Sequence, residues 1–165
     1  MQTEKLNIKD VAELLEKEGL VKKVSPTAKQ LHADFFCYDS RKITDNTLFI
    51  CKGATFKKEY LDGATDAGMI CYISETLYEG INSEYIIVND IRKAFALVSM
   101  LYFGYEHNKP ELCAFVGTKG KTTSVYMLKS ILEKTNEKFA YCSTVEMNDG
   151  INTELSKLTT PESYD

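Results

Sequence analysis

Residues 112–134 read LCAFVGTKGKTTSVYMLKSILEK. A short apolar run enters a turn bounded by Gly117 and Gly120. Lys121, Thr122 and Thr123 then open a segment with Val125, Leu128 and Leu132 on one side and Met127 and Ile131 beside them. The pattern predicts a strand over 112–116, a glycine turn and a helix over 121–134. That order suits a phosphate cradle. Glycine lets backbone N–H groups approach phosphate oxygens, and a helix start adds a favourable field. A lysine reaches the terminal phosphates, and a hydroxyl holds Mg²⁺. The residues expected at nucleotide phosphates are therefore Gly117 and Gly120 in the turn and Lys121 at the helix start, with Thr122 placed to meet the metal and Thr123 in support. The spacing is GxxGKT rather than GxxxxGK[ST], because Phe115 stands where the longer pattern has its first glycine. The competing reading is a capped helix with an exposed lysine; the strand–turn–helix context favours the cradle. Lys119 reads as solvated.

Around this stretch the chain looks layered. Downstream, 139–142 predicts one more strand, and the residues after Cys142 are polar in pattern. One helix and two short strands cannot cover both faces of a parallel sheet, so 110–165 reads as the truncated start of a P-loop ATP-binding α/β domain. Upstream, Asn108-Lys109-Pro110 is the best boundary, since proline discourages helix before it. Residues 1–109 read as a separate small α/β domain. Its expected elements are a helix over 7–18, capped by Asn7 and stopped by Gly19, and two strands at 35–38 and 48–51 around a polar turn at Asp45-Asn46. A helix over 58–67, strands at 69–73 and 85–88, and a helix from Asp90 to about His107 complete it.

The bulk numbers exclude several classes. The chain has 165 residues, 44% hydrophobic and 27% charged, with a net charge of −4. That is ordinary for a globular protein, and it argues against a generally basic nucleic-acid surface. No apolar run reaches the ~20 residues that span a bilayer, which argues against membrane insertion. The N-terminal MQTEKLNIKD lacks a signal-peptide core. The cysteines at 37, 51, 71, 113 and 142 form no CxxC pair, and they read as reduced, buried thiols of a cytoplasmic protein. His32 and His107 are too few and too far apart for a zinc site.

Gly117-Thr118-Lys119-Gly120-Lys121-Thr122-Thr123 resembles the GTNGKTT nucleotide loop of the Mur ligases, ATP-dependent enzymes of peptidoglycan precursor synthesis, with lysine in the asparagine position. Three further segments are similar to the branch that adds the third amino acid, the muramyl-tripeptide synthetases. Asp39-Ser40-Arg41 resembles its DSR motif. Residues 46–73 resemble its G-x-L-F-V-A … G … D-G … A-x-x-x-G-A region, with Asn46 in the glycine position and Gly68 retained. Thr159-Thr160-Pro161-Glu162 resembles its TTP segment.

The resemblance implies a fold and a chemistry. Residues 1–109 would bind the UDP end of a UDP-N-acetylmuramoyl-peptide, with Ser40 and Arg41 at the uridine nucleotide and Thr159 and Thr160 at the muramoyl-peptide portion. ATP and Mg²⁺ would activate the substrate carboxylate as an acyl phosphate, and an amino-acid amine would displace phosphate to form an amide. The family's magnesium glutamate, carbamylated lysine and amino-acid-selecting domain would lie beyond Asp165, so the expected partner is the missing C-terminal part of such a ligase. Glu146 and Glu162 do not occupy the metal-glutamate position. Whether lysine or diaminopimelate is added is unreadable here, and the chain alone is expected to be inactive. Two other readings stand beside this one: a non-catalytic uridine-nucleotide-binding module with a vestigial P-loop, and a different P-loop NTPase. The last would want a Walker B-like carboxylate after a further apolar strand, which the sequence lacks.

Overall fold

Asn7 starts the first helix. Its side chain accepts the Lys9 N–H at 2.9 Å, satisfying a donor that the helix itself leaves unpaired. In the computed structural model, which describes residues 5–53, 56–105, 110–135 and 137–156, this helix is α1 (Ile8–Lys17). It closes at Gly19, whose φ of 68° lets the Leu20 N–H return to Leu15 O at 2.9 Å. The described residues form two compact units, one within 5–105 and the other within 110–156. The expectations for Thr159, Thr160, His107 and the Asn108-Lys109 boundary fall outside the described residues.

The first unit is built on a five-stranded sheet. Strands β4 (Phe35–Cys37), β5 (Thr47–Ile50), β6 (Met69–Ser74) and β7 (Glu84–Val88) run parallel. Strand β2 (Val21–Val24) pairs antiparallel with β7, giving the order β2-β7-β6-β5-β4. A two-residue pair, β1 (Leu6–Asn7) with β3 (His32–Ala33), lies outside that sheet. The polar segment after β4 does not close a hairpin. It crosses over, through a 3-10 turn at Ser40–Lys42, and delivers β5 parallel to β4.

Alternation along each strand splits the core between two faces. Phe36, Leu48, Ile50, Ile73, Ile86 and Val88 pack under α1 and α3 (Ile91–Tyr102). Phe49, Tyr72 and Ile87 point the other way, toward Leu61 and Ala64 of α2 (Glu59–Asp66). Each such side chain, when fully buried, contributes roughly 1.5–3 kcal/mol of transfer free energy. Asp90 caps α3, accepting the N–H groups of Arg92 and Lys93 at 3.0 Å. The helix stops at Tyr102 rather than near His107. Gly104 turns left-handed at φ 67°, and the Tyr105 N–H returns to Met100 O at 2.9 Å.

Gly68 is required by its neighbours as well as its torsion. Its φ is 104°, and a Cβ there would meet the Asp45 Cα at 2.6 Å. The turn at 45–46 thus lies against the end of α2. Asn46 occupies the left-handed region at φ 57°, which asparagine tolerates better than most residues, and its side chain donates to Asp34 Oδ2 at 2.9 Å.

The second unit differs from expectation. Helix α4 (Lys121–Leu132) forms where predicted, but none of its residues is buried. Residues 112–116 join no sheet among the described residues, and Leu112 and Val116 are 91% and 95% exposed. Among the described residues no strand edge pairs with this apolar run to complete its hydrogen bonds. Strand β8 is shorter than predicted (Tyr141–Cys142), and the polar residues after it fold back as β9 (Glu146–Asn148) and β10 (Thr153–Leu155). These three strands are antiparallel, whereas the strands expected at 112–116 and 139–142 were to begin a parallel sheet. The turn between β9 and β10 is held by Asp149 Oδ1, which accepts the N–H groups of Ile151 at 2.8 Å and Asn152 at 2.6 Å. The cysteine expectation also splits: Cys37, Cys51 and Cys71 are buried, whereas Cys113 and Cys142 are exposed.

Candidate functional site

Beyond the carboxyl ends of β4 and β5 the chain leaves the sheet twice, at Tyr38 and at Lys52. In open α/β sheets this is where ligands bind. A hollow of about 330 Å³ opens there, lined by Tyr38, Ser40, Arg41, Lys52, Phe56 and Tyr60, with Asp39 and Phe49 completing it. Asp39 organises one wall. Its Oδ1 accepts the Arg41 N–H at 3.1 Å and Nε–H at 2.9 Å, and its Oδ2 accepts the terminal guanidinium N–H at 2.8 Å. The Arg41 guanidinium holds the Asp39 carboxyl well below its usual range, to about 2. Ser40 sits at the head of this 3-10 turn and lines the hollow. The lining also carries an aromatic cluster: the Phe56 ring lies 5.6 Å from Tyr60, edge-on, and 6.1 Å from Phe49.

The structure brings Ser40 and Arg41 into one hollow with four residues that sequence reasoning did not single out: Tyr38, Lys52, Phe56 and Tyr60. The available signal was Lys52-Gly53 directly after the apolar run 48–51, a cation at the exit of a buried parallel strand.

The glycine turn of the second unit has its own geometry. Gly120 caps α4 in the left-handed region at φ 84°, and Gly117 has φ 157°. The Lys121 ammonium folds back across the turn and donates to Gly117 O at 2.6 Å. The Thr122 and Thr144 hydroxyls meet at 3.4 Å. Residues 117–121 are exposed, Lys119 among them. The donor set (helix-start N–H groups, an ammonium and hydroxyls) is chemically suited to phosphate oxygens and a hard cation. Glu146 is engaged elsewhere: Tyr141 donates to its Oε1 at 2.5 Å and Lys129 at 3.2 Å, and both hold its carboxyl below the ordinary value. Among the described residues no three His, Cys, Asp or Glu side chains gather as a metal site, and no helix is long and apolar enough to cross a membrane.

No protein-family model matches the chain. Individual relatives do. It is 52% identical over 129 residues to the UDP-N-acetylmuramoyl-L-alanyl-D-glutamate--L-lysine ligase of Streptococcus agalactiae, covering 78% of this chain and 26% of that protein. The ligase of the same name from Enterococcus faecalis is 43% identical over 167 residues, covering 94% and 33%. The UDP-N-acetylmuramyl-tripeptide synthetase of Lactococcus lactis is 42% identical over 169 residues, covering 97% and 34%. The chain thus spans about a third or less of the relatives it matches, at their N-terminal end. In fold it resembles a UDP-N-acetylmuramoyl-L-alanyl-D-glutamate--2,6-diaminopimelate ligase at TM-score 0.66 and 16% identity, covering 98% of this chain and 32% of that one. It also resembles MurF from Acinetobacter baumannii at TM-score 0.59 and 18% identity, covering 88% and 32%.

Proposed function

The chain belongs to the Mur ligase family over the span it covers, and from that premise we propose that it is the N-terminal portion of an ATP-dependent ligase adding an amino acid to a UDP-N-acetylmuramoyl-dipeptide. The observation that carries this is the 52% identity to a ligase of that name across 78% of the chain. Relatives named for L-lysine support lysine as the residue that the whole enzyme adds. Peptidoglycan precursor synthesis in the cytoplasm is the matching setting.

In this reading residues 1–109 form the substrate domain and 110–165 begin the ATP domain. The hollow at the ends of β4 and β5 receives the uridine diphosphate, with Ser40 and Arg41 on its polar wall. Thr159 and Thr160 meet the muramoyl-peptide portion. ATP with Mg²⁺, when bound, supplies the phosphoryl group that activates the substrate carboxylate. Gly117, Thr118, Lys119 and Gly120 offer backbone donors to the phosphates, Lys121 offers its ammonium to the charge that grows there, Thr122 offers its hydroxyl to the metal, and Thr123 supports the helix start. The rest of the ligase would supply the metal shell and the cover for Val116, Met127 and Ile131.

Calorimetric titration with UDP-N-acetylmuramoyl-dipeptide and with Mg-ATP tests the reading. Binding of both supports it. Binding of the uridine ligand without ATP favours the module alternative, which the buried core of the first unit and the exposed faces of α4 support. Binding of neither contradicts both. In a full-length ligase containing this segment, Lys121→Ala should lower turnover about 100-fold or more while leaving the melting temperature unchanged.

A further inference from the structure

Helix α4 buries no residue, yet it stands beside the three strands that follow it. Its contacts with them are polar and aromatic. The Lys129 ammonium of α4 donates to Glu146 Oε1 on β9 at 3.2 Å and lies 4.9 Å from the Tyr141 ring centre on β8. The Tyr126 ring, one turn back on α4, is 5.5 Å from the same ammonium and 6.3 Å from the Tyr141 ring. The Tyr141 hydroxyl donates to Glu146 Oε1 at 2.5 Å. One carboxylate oxygen on β9 therefore collects a donor from α4 and a donor from β8. The Lys129 and Glu146 side chains are 24% and 21% exposed, against 57% and 56% for the Lys9–Glu13 pair on α1, so water screens this pair less. Glu146 is itself fixed by a closed turn. Its N–H donates to Ser143 Oγ at 3.1 Å, and that hydroxyl donates back to Glu146 O at 2.9 Å. The same turn carries Thr144, whose hydroxyl meets that of Thr122 near the start of α4.

We infer that Glu146 is an electrostatic latch, whose charge, acting through Lys129, fastens α4 to β8 and β9 in place of a hydrophobic core. Helix α4 begins at Lys121, directly after the glycine turn, so the latch also sets where Lys121 and Thr122 stand beside Thr144. Glu146 is thus a positioning residue for the donors gathered at that turn, and it acts whatever the turn binds. Salt opens the latch, because added ions compete for both charges. A core of buried side chains would not respond in that way.

The test is amide hydrogen exchange of α4 in this chain, for the wild type, Glu146→Gln, Lys129→Met, their double variant, Lys129→Arg and Glu133→Gln. Glutamine keeps the size and the acceptor for Tyr141 and removes the charge. Arginine keeps the cation over the two rings. Glu133 meets Lys129 at 3.8 Å within α4, so its variant reports charge pairing along the helix alone. Exchange of β5, β6 and β7 in the same spectra checks that the first unit is folded. The expected result is that Glu146→Gln and Lys129→Met each speed α4 exchange about three-fold or more at low salt. The double variant should exceed either single one by less than about two-fold. Lys129→Arg should stay within about two-fold of the wild type, and 1 M NaCl should remove most of the difference between wild type and Glu146→Gln. Unchanged exchange in Glu146→Gln overturns the latch, as do additive losses in the double variant. A loss in Glu133→Gln equal to that in Glu146→Gln overturns it in favour of pairing along α4, and a difference that persists in 1 M NaCl overturns it in favour of packing. A wild-type α4 without protection at low salt overturns it as well, since the helix would then be fastened by nothing.

Discussion

The two units of this chain contrast in what they bury. The first sandwiches a mostly parallel sheet between helices and hides Phe36, Leu48, Phe49, Tyr72 and Phe95 almost completely. The second carries a helix of the same length as α3, yet Met127 and Ile131 on it are 64% and 62% exposed, and Ile151 and Leu155 are 86% and 76% exposed. Similar local patterns thus lead to different outcomes. Helix start signals after the left-handed Gly120 form α4 locally, but tertiary burial supplies most helical stability, and no residue of α4 is buried. The hollow at the ends of β4 and β5 lies in the unit with a core.

The largest effect expected from this contrast is on stability. Leu48→Ala should cost about 2–5 kcal/mol in urea unfolding, as buried large-to-small changes do. Ile131→Ala should stay within about 0.5 kcal/mol. Equal costs would break the comparison. Thiol chemistry sharpens it next. Burial pushes the Cys37 thiol up to about 11 and raises Cys51 and Cys71 as well, disfavouring the reactive thiolate. Cys113 and Cys142 are exposed. At pH 8 a disulfide reagent should modify Cys113 and Cys142 rapidly and the other three at least about 100-fold more slowly, reporting opening of the first unit.

How much of this was readable beforehand follows the same division. α1, α3, β6 and β7 were readable because their caps and apolar spacing agree with their burial. Strand β2 was not, since Val-Lys-Lys-Val has no alternation and takes its place only by pairing with the edge of β7. The β9–β10 hairpin hid in a polar run, although Asn148-Asp149-Gly150 is turn chemistry. The parallel pairing of β4 and β5 was hidden because a polar turn says nothing about crossover. Ser40 and Arg41 were found by resemblance to a motif. Tyr38, Phe56 and Tyr60 were missed because only the fold brings two strand exits together, and Lys52 because its signal, a cation after an apolar run, gains meaning only there.

Glycine substitutions give a smaller effect. Gly68→Ala should cost about 2–3 kcal/mol, because left-handed torsion and contact with the Asp45 backbone act together. Gly150, with φ 93° and only Phe139 O at 3.4 Å from a Cβ, should lose about 1 kcal/mol. Thermal melting of both variants checks the order. Smallest is the titration of Asp39. Its carboxyl is lowered in the folded state, so the Asp39–Arg41 pair contributes stability above the ordinary carboxylate range and loses it as pH falls from about 4 toward 2. Carbon-13 NMR should find the Asp39 midpoint near 2, and Arg41→Met should return it toward 3.8.

The most direct test of the contrast is native-state amide hydrogen exchange across the chain. Amides of β5, β6 and β7 should exchange only through global opening of the first unit, at least about 100-fold more slowly than those in the middle of α4. Protection of α4 equal to that of β6 would contradict the account, since it would mean that the second unit is stabilised as firmly as the first without a core of its own.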